Sequence, residues 1–261
     1  MRRCSSRVFL INGLAGLLAL AGCRSDEAAG FLPLEDQWSS ETEALSPVTR
    51  EMFDAAVKLI ATTYGPDIES LGGSLDVVAA WDSDSVGASS ARSGTRYKTW
   101  VHGGLARRPE MTDDALVLIL CHEMGHFLGG APLGGSGLAA EGQSDFFATN
   151  VCLKRLWIAD DNTPSPASDV DPELEDGVVA ACEARFAHDG GRLCRRSLRA
   201  GWAAMHMAAA RREVPAPAFS TPDPSVATET RLGYPGHQCR LDTMAAGALD
   251  NERPLCWFKP E

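Results

Sequence analysis

His122, Glu123 and His126 stand in the order His-Glu-x-x-His within the run Cys121-His122-Glu123-Met124-Gly125-His126. On a helix, two His four apart point from one face, so both imidazoles can reach a single metal ion while Glu123 lies beside the open coordination position. Zinc held there would acidify water and polarise a carbonyl, and a carboxylate within hydrogen-bond reach would take the proton as water attacks. The bland alternative is two His satisfied inside a core helix. It suits a lone His better than a pair flanking a Glu.

A catalytic zinc needs a third protein ligand. The metzincin pattern would put a His six residues after His126, but Pro132 occupies that position, which excludes the class although Gly129 matches its glycine. Glu141 and Asp145 offer carboxylates four apart in Glu141-Gly142-Gln143-Ser144-Asp145, at the start of the next helical stretch. One can bind the metal while the other steadies a ligating His. Acidic helix caps are the alternative for such a pair, and the preceding His-Glu-x-x-His argues against it.

This combination resembles the gluzincin metallopeptidases, in which His-Glu-x-x-His is followed by a helix bearing Glu-x-x-x-Asp. It is similar in particular to the CAAX prenyl protease family and its soluble envelope relatives, over residues 97 to 157 with a fainter echo at 234 to 242. The resemblance implies one zinc ion on His122, His126 and Glu141, Glu123 as the base, and Asp145 hydrogen-bonded to a ligating His. Tyr234-Pro235 and Arg240-Leu241 stand where the family has His-Pro and Arg-Ile. Tyr234 would then donate to the oxyanion in place of the His, with Arg240 beside it; a proline turn and a surface Arg are the alternative. The family's edge strand, to which substrate adds in extended form, corresponds to Lys98–Leu105. His102 on it could touch substrate or be an exposed strand residue.

These residues require particular elements to position them. A helix should open at Ser46 and Pro47, bury Met52, Phe53, Ala56, Val57 and Ile60, and stop at Gly65-Pro66. Leu75–Trp81 and Tyr97–Ala106 read as strands, with a Gly- and Ser-rich turn or weak third strand between them. Thr112 or Asp113 caps the His-bearing helix, whose Leu116–Leu120 run is apolar all round and therefore buried; Gly129-Gly130 ends it. A second site helix is expected over Ala140–Trp157, another from Asp171-Pro172, an Ala-rich one over Leu193–Arg212, and a last from near Arg240. The Pro-rich stretch 214–224 between them should be extended. The expected fold class is α+β: a mostly helical zincin-like domain with a small antiparallel sheet.

The chain opens with a basic start (Arg2, Arg3, Arg7) and an apolar run, Val8–Ala21, too short to span a membrane comfortably. Leu20-Ala21-Gly22-Cys23 resembles the lipobox of bacterial lipoproteins. The resemblance implies lipidation of Cys23, a membrane anchor and, since Arg24 rather than Asp follows, delivery to the outer membrane of the cell envelope. Residues 1–23 are thus expected to be a signal peptide, 24–45 a flexible tether rich in Ser, Ala, Asp and Glu, and 46–261 the metallopeptidase domain, of a size to bury one core.

Six cysteines fall in that domain. In an exported chain they favour disulfides, with 15 possible connectivities; nearness in sequence suggests Cys182–Cys194 and Cys239–Cys256, leaving Cys121–Cys152. The formal charge of −11 excludes a general nucleic-acid binder. The expected function is a zinc metalloendopeptidase acting on extended polypeptide of envelope or extracellular proteins. A zinc amidase or deacylase would differ only in what the cleft admits. A non-catalytic zinc-binding lipoprotein that scaffolds envelope partners is the other alternative, and Glu123 counts against it, because a structural zinc has four ligands and needs no base.

Overall fold

The computed structural model describes residues 29–33, 46–160 and 176–260. The signal peptide and lipobox, and the expected helix start at Asp171-Pro172, lie outside them. Helix dominates and a small four-stranded sheet completes an α+β fold. Among the described residues, no helix is long and apolar enough to cross a membrane.

Helix α1 (Arg50–Ser70) buries Phe53, Ala56, Val57 and Ile60, the face its periodicity predicts. Its cap is Thr49, which accepts from the Met52 amide, while Ser46 instead donates to the Met111 carbonyl at 3.2 Å. The helix does not stop at Gly65-Pro66. Tyr64 and Ile68 are both buried on the core side, and that packing carries the helix through a residue that lacks an N–H.

Strands β2 (Ser74–Ala80), β3 (Ala88–Ser93) and β4 (Arg96–His102) join a two-residue strand β1 (Ala29–Gly30) in the order β1-β3-β4-β2. The sheet is mixed rather than antiparallel. β3 and β4 form an antiparallel hairpin, but β4 lies parallel to β2 with Ser74 opposite Arg96 and Ala80 opposite His102. The loop over residues 81–87 is long enough to step across two inter-strand spacings of about 4.8 Å, so β3 starts one place beyond β2 and its hairpin partner fills the gap. The stretch 98–105 is therefore interior, not an edge, and the open edge of the hairpin belongs to β3. β4 also ends sooner than expected: residues 103–106 turn into a short helix, α2 (Gly103–Ala106), tied by the Gly104 amide to the Ser83 carbonyl at 2.8 Å.

Helix α3 (Asp113–Leu128) runs through the centre of the molecule and is buried from Asp114 to His126. Thr112 caps it by accepting from the Ala115 amide at 3.1 Å, and Gly129 ends it. Next come α4 (Glu141–Phe147), a single π-helical turn (Ala148–Cys152) and α5 (Leu153–Trp157), which together cover the one helix expected over 140–157. Helices α6 (Asp176–Arg185), α7 (Asp189–Arg212) and α8 (His237–Ala248) complete the fold, with α7 packed on α3 and α8 on α4.

Three disulfides link Cys121–Cys152, Cys182–Cys194 and Cys239–Cys256, the pairing that nearness in sequence suggests. By loop closure each contributes about 3–4 kcal/mol. The first fastens the residue before His122 to the turn that follows α4, so it also fixes the two site helices against one another.

Residues 29–33 fall in the stretch expected to be a tether, yet they are built into the fold. Phe31 and Leu32 are buried and belong to the main core, and Gly30 lies so close to β3 that an added Cβ would sit 2.4 Å from the Ala88 carbonyl oxygen. The apolar pair and the glycine beside it supply the burial and close approach that a uniformly polar tether would lack.

Candidate metal centre

Helix α3 presents His122, Glu123 and His126, and α4 crosses it to bring Glu141 and Asp145 to the same place. The crossing depends on Gly125, where a Cβ would fall 2.7 Å from the Ser144 Cα. All five side chains are buried.

His122 Nδ1–H donates to Asp145 Oδ1 at 2.8 Å, and His126 Nδ1–H is directed at the Ala139 carbonyl at 2.9 Å with Ser144 Oγ at 3.0 Å. Each Nδ1 is thereby held as a donor, so in the neutral imidazole the lone pair lies on Nε2. His122 Nε2 lies 3.2 Å from Glu141 Oε2 without the geometry of a hydrogen bond, and His126 Nε2 lies 3.7 Å from Glu141 Oε1. Among the described residues, His122 Nε2, His126 Nε2 and Glu141 Oε2 have no hydrogen-bond partner although they are buried. Burying such atoms unsatisfied is costly. A cation between them removes the cost, and the ligand atoms of the three residues all lie within 4.8 Å of one another. The group could hold a metal ion. Ligands about 2.0–2.1 Å from a tetrahedral zinc would be separated by about 3.3–3.4 Å, which is compatible with the spacings found.

Charge favours the same reading. Arg240 is buried and donates to Asp145 through Nε (2.7 Å) and one Nη (2.8 Å), so these two cancel. Glu123 and Glu141 remain, and a dication balances two buried carboxylates. Arg240 and His122 hold Asp145 down at about 2 even against its burial. Burial pushes Glu123 up to about 7, with only partial relief from His122 and the Phe31 amide. Burial lowers His126 to about 4, whereas at His122 the carboxylates of Asp145 and Glu141 overcome burial and raise it to about 9. Glu141 lies below its ordinary value despite burial, because His126 and His122 face it.

Glu123 is placed apart from the ligands. Its Oε1 accepts the Phe31 amide at 2.8 Å, and its Oε2 has no hydrogen-bond partner among the described residues. Tyr234, which precedes α8, donates its hydroxyl to the Gly30 carbonyl at 2.7 Å. Burial and the neighbouring carboxylates raise its pKa, so the phenol stays a donor. Arg240 is not a surface residue; its Nη1 also reaches the Phe31 carbonyl at 2.6 Å. His102 is elsewhere, half-buried with Nδ1 3.0 Å from Ser83 Oγ.

The structure thus brings together His122, Glu123, His126, Glu141, Asp145, Tyr234 and Arg240. Sequence reasoning missed Ser144 and the Ala139 carbonyl, although two ligating His require two partners for their Nδ1 protons and Asp145 can serve only one. It also missed Phe31. No protein-family profile, curated protein or solved structure matches the chain.

Proposed function

We propose that the chain is a zinc-dependent metallopeptidase of the gluzincin type, cleaving extended polypeptide, with His122, His126 and Glu141 holding the metal. The observation that carries this reading is the set of three buried ligand atoms with no hydrogen-bond partner among the described residues, beside a fourth such atom, Glu123 Oε2, that belongs to a carboxylate outside the set. A structural site would use its fourth position for a ligand; here a base borders it. When bound, zinc supplies the Lewis acidity that makes water a nucleophile near neutral pH and polarises a carbonyl. Glu123 accepts the proton from the attacking water and returns it to the departing amine. Tyr234 donates to the carbonyl oxygen as charge gathers there. Arg240 and Asp145 keep the His122 proton on Nδ1, and Ala139 and Ser144 do the same for His126.

Metal analysis of the purified chain beside His122→Ala and Glu141→Ala tests the ligand set. About one zinc per chain is expected in the wild type after zinc loading and little in either variant; metal that survives Glu141→Ala would move the third ligand elsewhere.

We also read the chain as an envelope lipoprotein, on the strength of the lipobox at Leu20–Cys23 and of three disulfides that fit an oxidising compartment. Cys23→Ser is expected to move the protein from the membrane fraction to the soluble fraction of an expressing bacterium. A variant that stays in the membrane fraction would discard the lipid anchor.

A further inference from the structure

Residues Ala29–Pro33 run across the metal centre. Ala29 and Gly30 pair antiparallel with Ser90 and Ser89 at the open edge of β3, as an added strand would. The contacts that follow are made by the site itself. Tyr234 holds the Gly30 carbonyl oxygen, Glu123 takes the Phe31 N–H, and Arg240 holds the Phe31 carbonyl oxygen. The first two contacts grip the oxygen and nitrogen of one peptide link, with a donor on the carbonyl oxygen and a carboxylate on the amide nitrogen. That is the arrangement peptide hydrolysis asks for, since the oxygen gains negative charge and the nitrogen must leave with a proton. The Phe31 ring stands edge-on to His122 at 5.3 Å and under the Arg240 guanidinium at 4.5 Å.

We propose that residues 29–32 are the chain's own occupant of its peptide groove, held in the register of a substrate with Gly30–Phe31 in the reactive position. An incoming polypeptide must displace them. The groove itself defines what it takes. The residue on the acyl side must be glycine, because a Cβ there meets the β3 backbone, and the residue on the amine side must be large and apolar to fill the buried place of Phe31. Past Leu32 and Pro33 a cavity of about 300 Å³, bordered by Val214, Tyr234 and Pro235, gives room for the chain to continue. The reactive position rests on the peptidase reading; occupancy of the groove does not, and it can be tested without metal.

The probe is a fluorescein-labelled peptide carrying residues 27–35, Glu-Ala-Ala-Gly-Phe-Leu-Pro-Leu-Glu. It is titrated into the metal-free full-length chain by fluorescence anisotropy. Gly30→Val drives a side chain into the Ala88 carbonyl and Phe31→Ala leaves the buried place of the ring empty, so each unseats the chain's own segment. Both variants are expected to bind the peptide at least tenfold more tightly than the wild type, and a peptide bearing the same two substitutions is expected not to bind. Folded variants that bind no better than the wild type would overturn the proposal.

Should either substitution unfold the chain, a second arm decides. A site-specific protease sequence is inserted after residue 38 and cut, leaving residues 29–32 attached to the domain by contacts alone. Release of the cut segment on gel filtration, with the labelled peptide then binding in its place, supports the proposal. A segment that stays bound, or a domain that melts once it leaves, makes residues 29–32 a permanent strand. A zinc-loaded chain that fails to hydrolyse the peptide its metal-free form binds would count against the peptidase reading alone.

Discussion

Replacing Glu123 by Gln is expected to lower peptide hydrolysis by about 10²–10⁴-fold while leaving about one metal ion per chain. The amide has the size of the carboxylate and can still accept the Phe31 N–H, so the buried surroundings are kept. What it lacks is the capacity to take a proton from water. Because Glu123 is not one of the three residues whose ligand atoms converge, the metal should stay. The pH profile checks the assignment independently. Burial, only partly offset by His122 and by hydrogen bonding, puts Glu123 at about 7, and a dication beside it would favour the charged form and move it down. A base works only when deprotonated, so kcat/KM of the wild type should fall as pH is lowered through that pKa, on a limb at or below pH 7. The residual rate of Glu123→Gln should lack that limb. Unchanged hydrolysis with metal retained would place the base elsewhere, and loss of metal would make Glu123 a ligand.

The convergence of His122, His126 and Glu141 into a group that could hold a metal ion was legible in sequence because helical periodicity converts spacing directly into geometry. His122 and His126 are four apart on a helix whose apolar run already required burial, and Glu141 and Asp145 are four apart on the next. The disulfides were legible for a related reason, since a short chain separation limits where two thiols can be. The sheet was less so. Hydrophobic alternation finds β2 and β4 but says nothing of their relative direction, which follows from how far the loop over 81–87 reaches. Pro66 misled because a local stop signal competes with burial of Tyr64 and Ile68, a tertiary fact. Tyr234 and Arg240 could be placed only through resemblance, since they join the site from a part of the chain about a hundred residues away. Phe31 could not be placed at all. A short apolar run, Phe31-Leu32-Pro33-Leu34, in a stretch otherwise rich in Ser, Ala, Asp and Glu carries no periodicity, and the importance of Phe31 comes from the groove it enters.

Arg240→Met is expected to destabilise the fold by about 3–5 kcal/mol and to weaken metal binding by about 10–100-fold. Asp145 is wholly buried, and Arg240 is the cation that makes its charge tolerable there. Without the guanidinium, the carboxylate has the His122 Nδ1–H as its remaining described partner, and ionising it in that place becomes costly. Its folded pKa of about 2 lies below the ordinary 3.8. The wild type therefore gains stability from this group above pH 3.8 and loses it as pH falls toward 2. In Arg240→Met the depression is removed, so this loss on acidification should vanish or reverse, because protonating a buried carboxylate that has lost its cation relieves its cost. Combining Arg240→Met with Asp145→Asn removes the charge along with its partner, while an amide oxygen can still accept from His122. The double variant should recover a good part of the lost stability, a coupling that independent sites would not show. Urea titrations of the wild type, both single variants and the double variant at pH 7 measure it. Additive losses would mean that Asp145 is neutralised by something other than Arg240, and the two-carboxylate charge balance that favours a dication at this site would have to be redrawn.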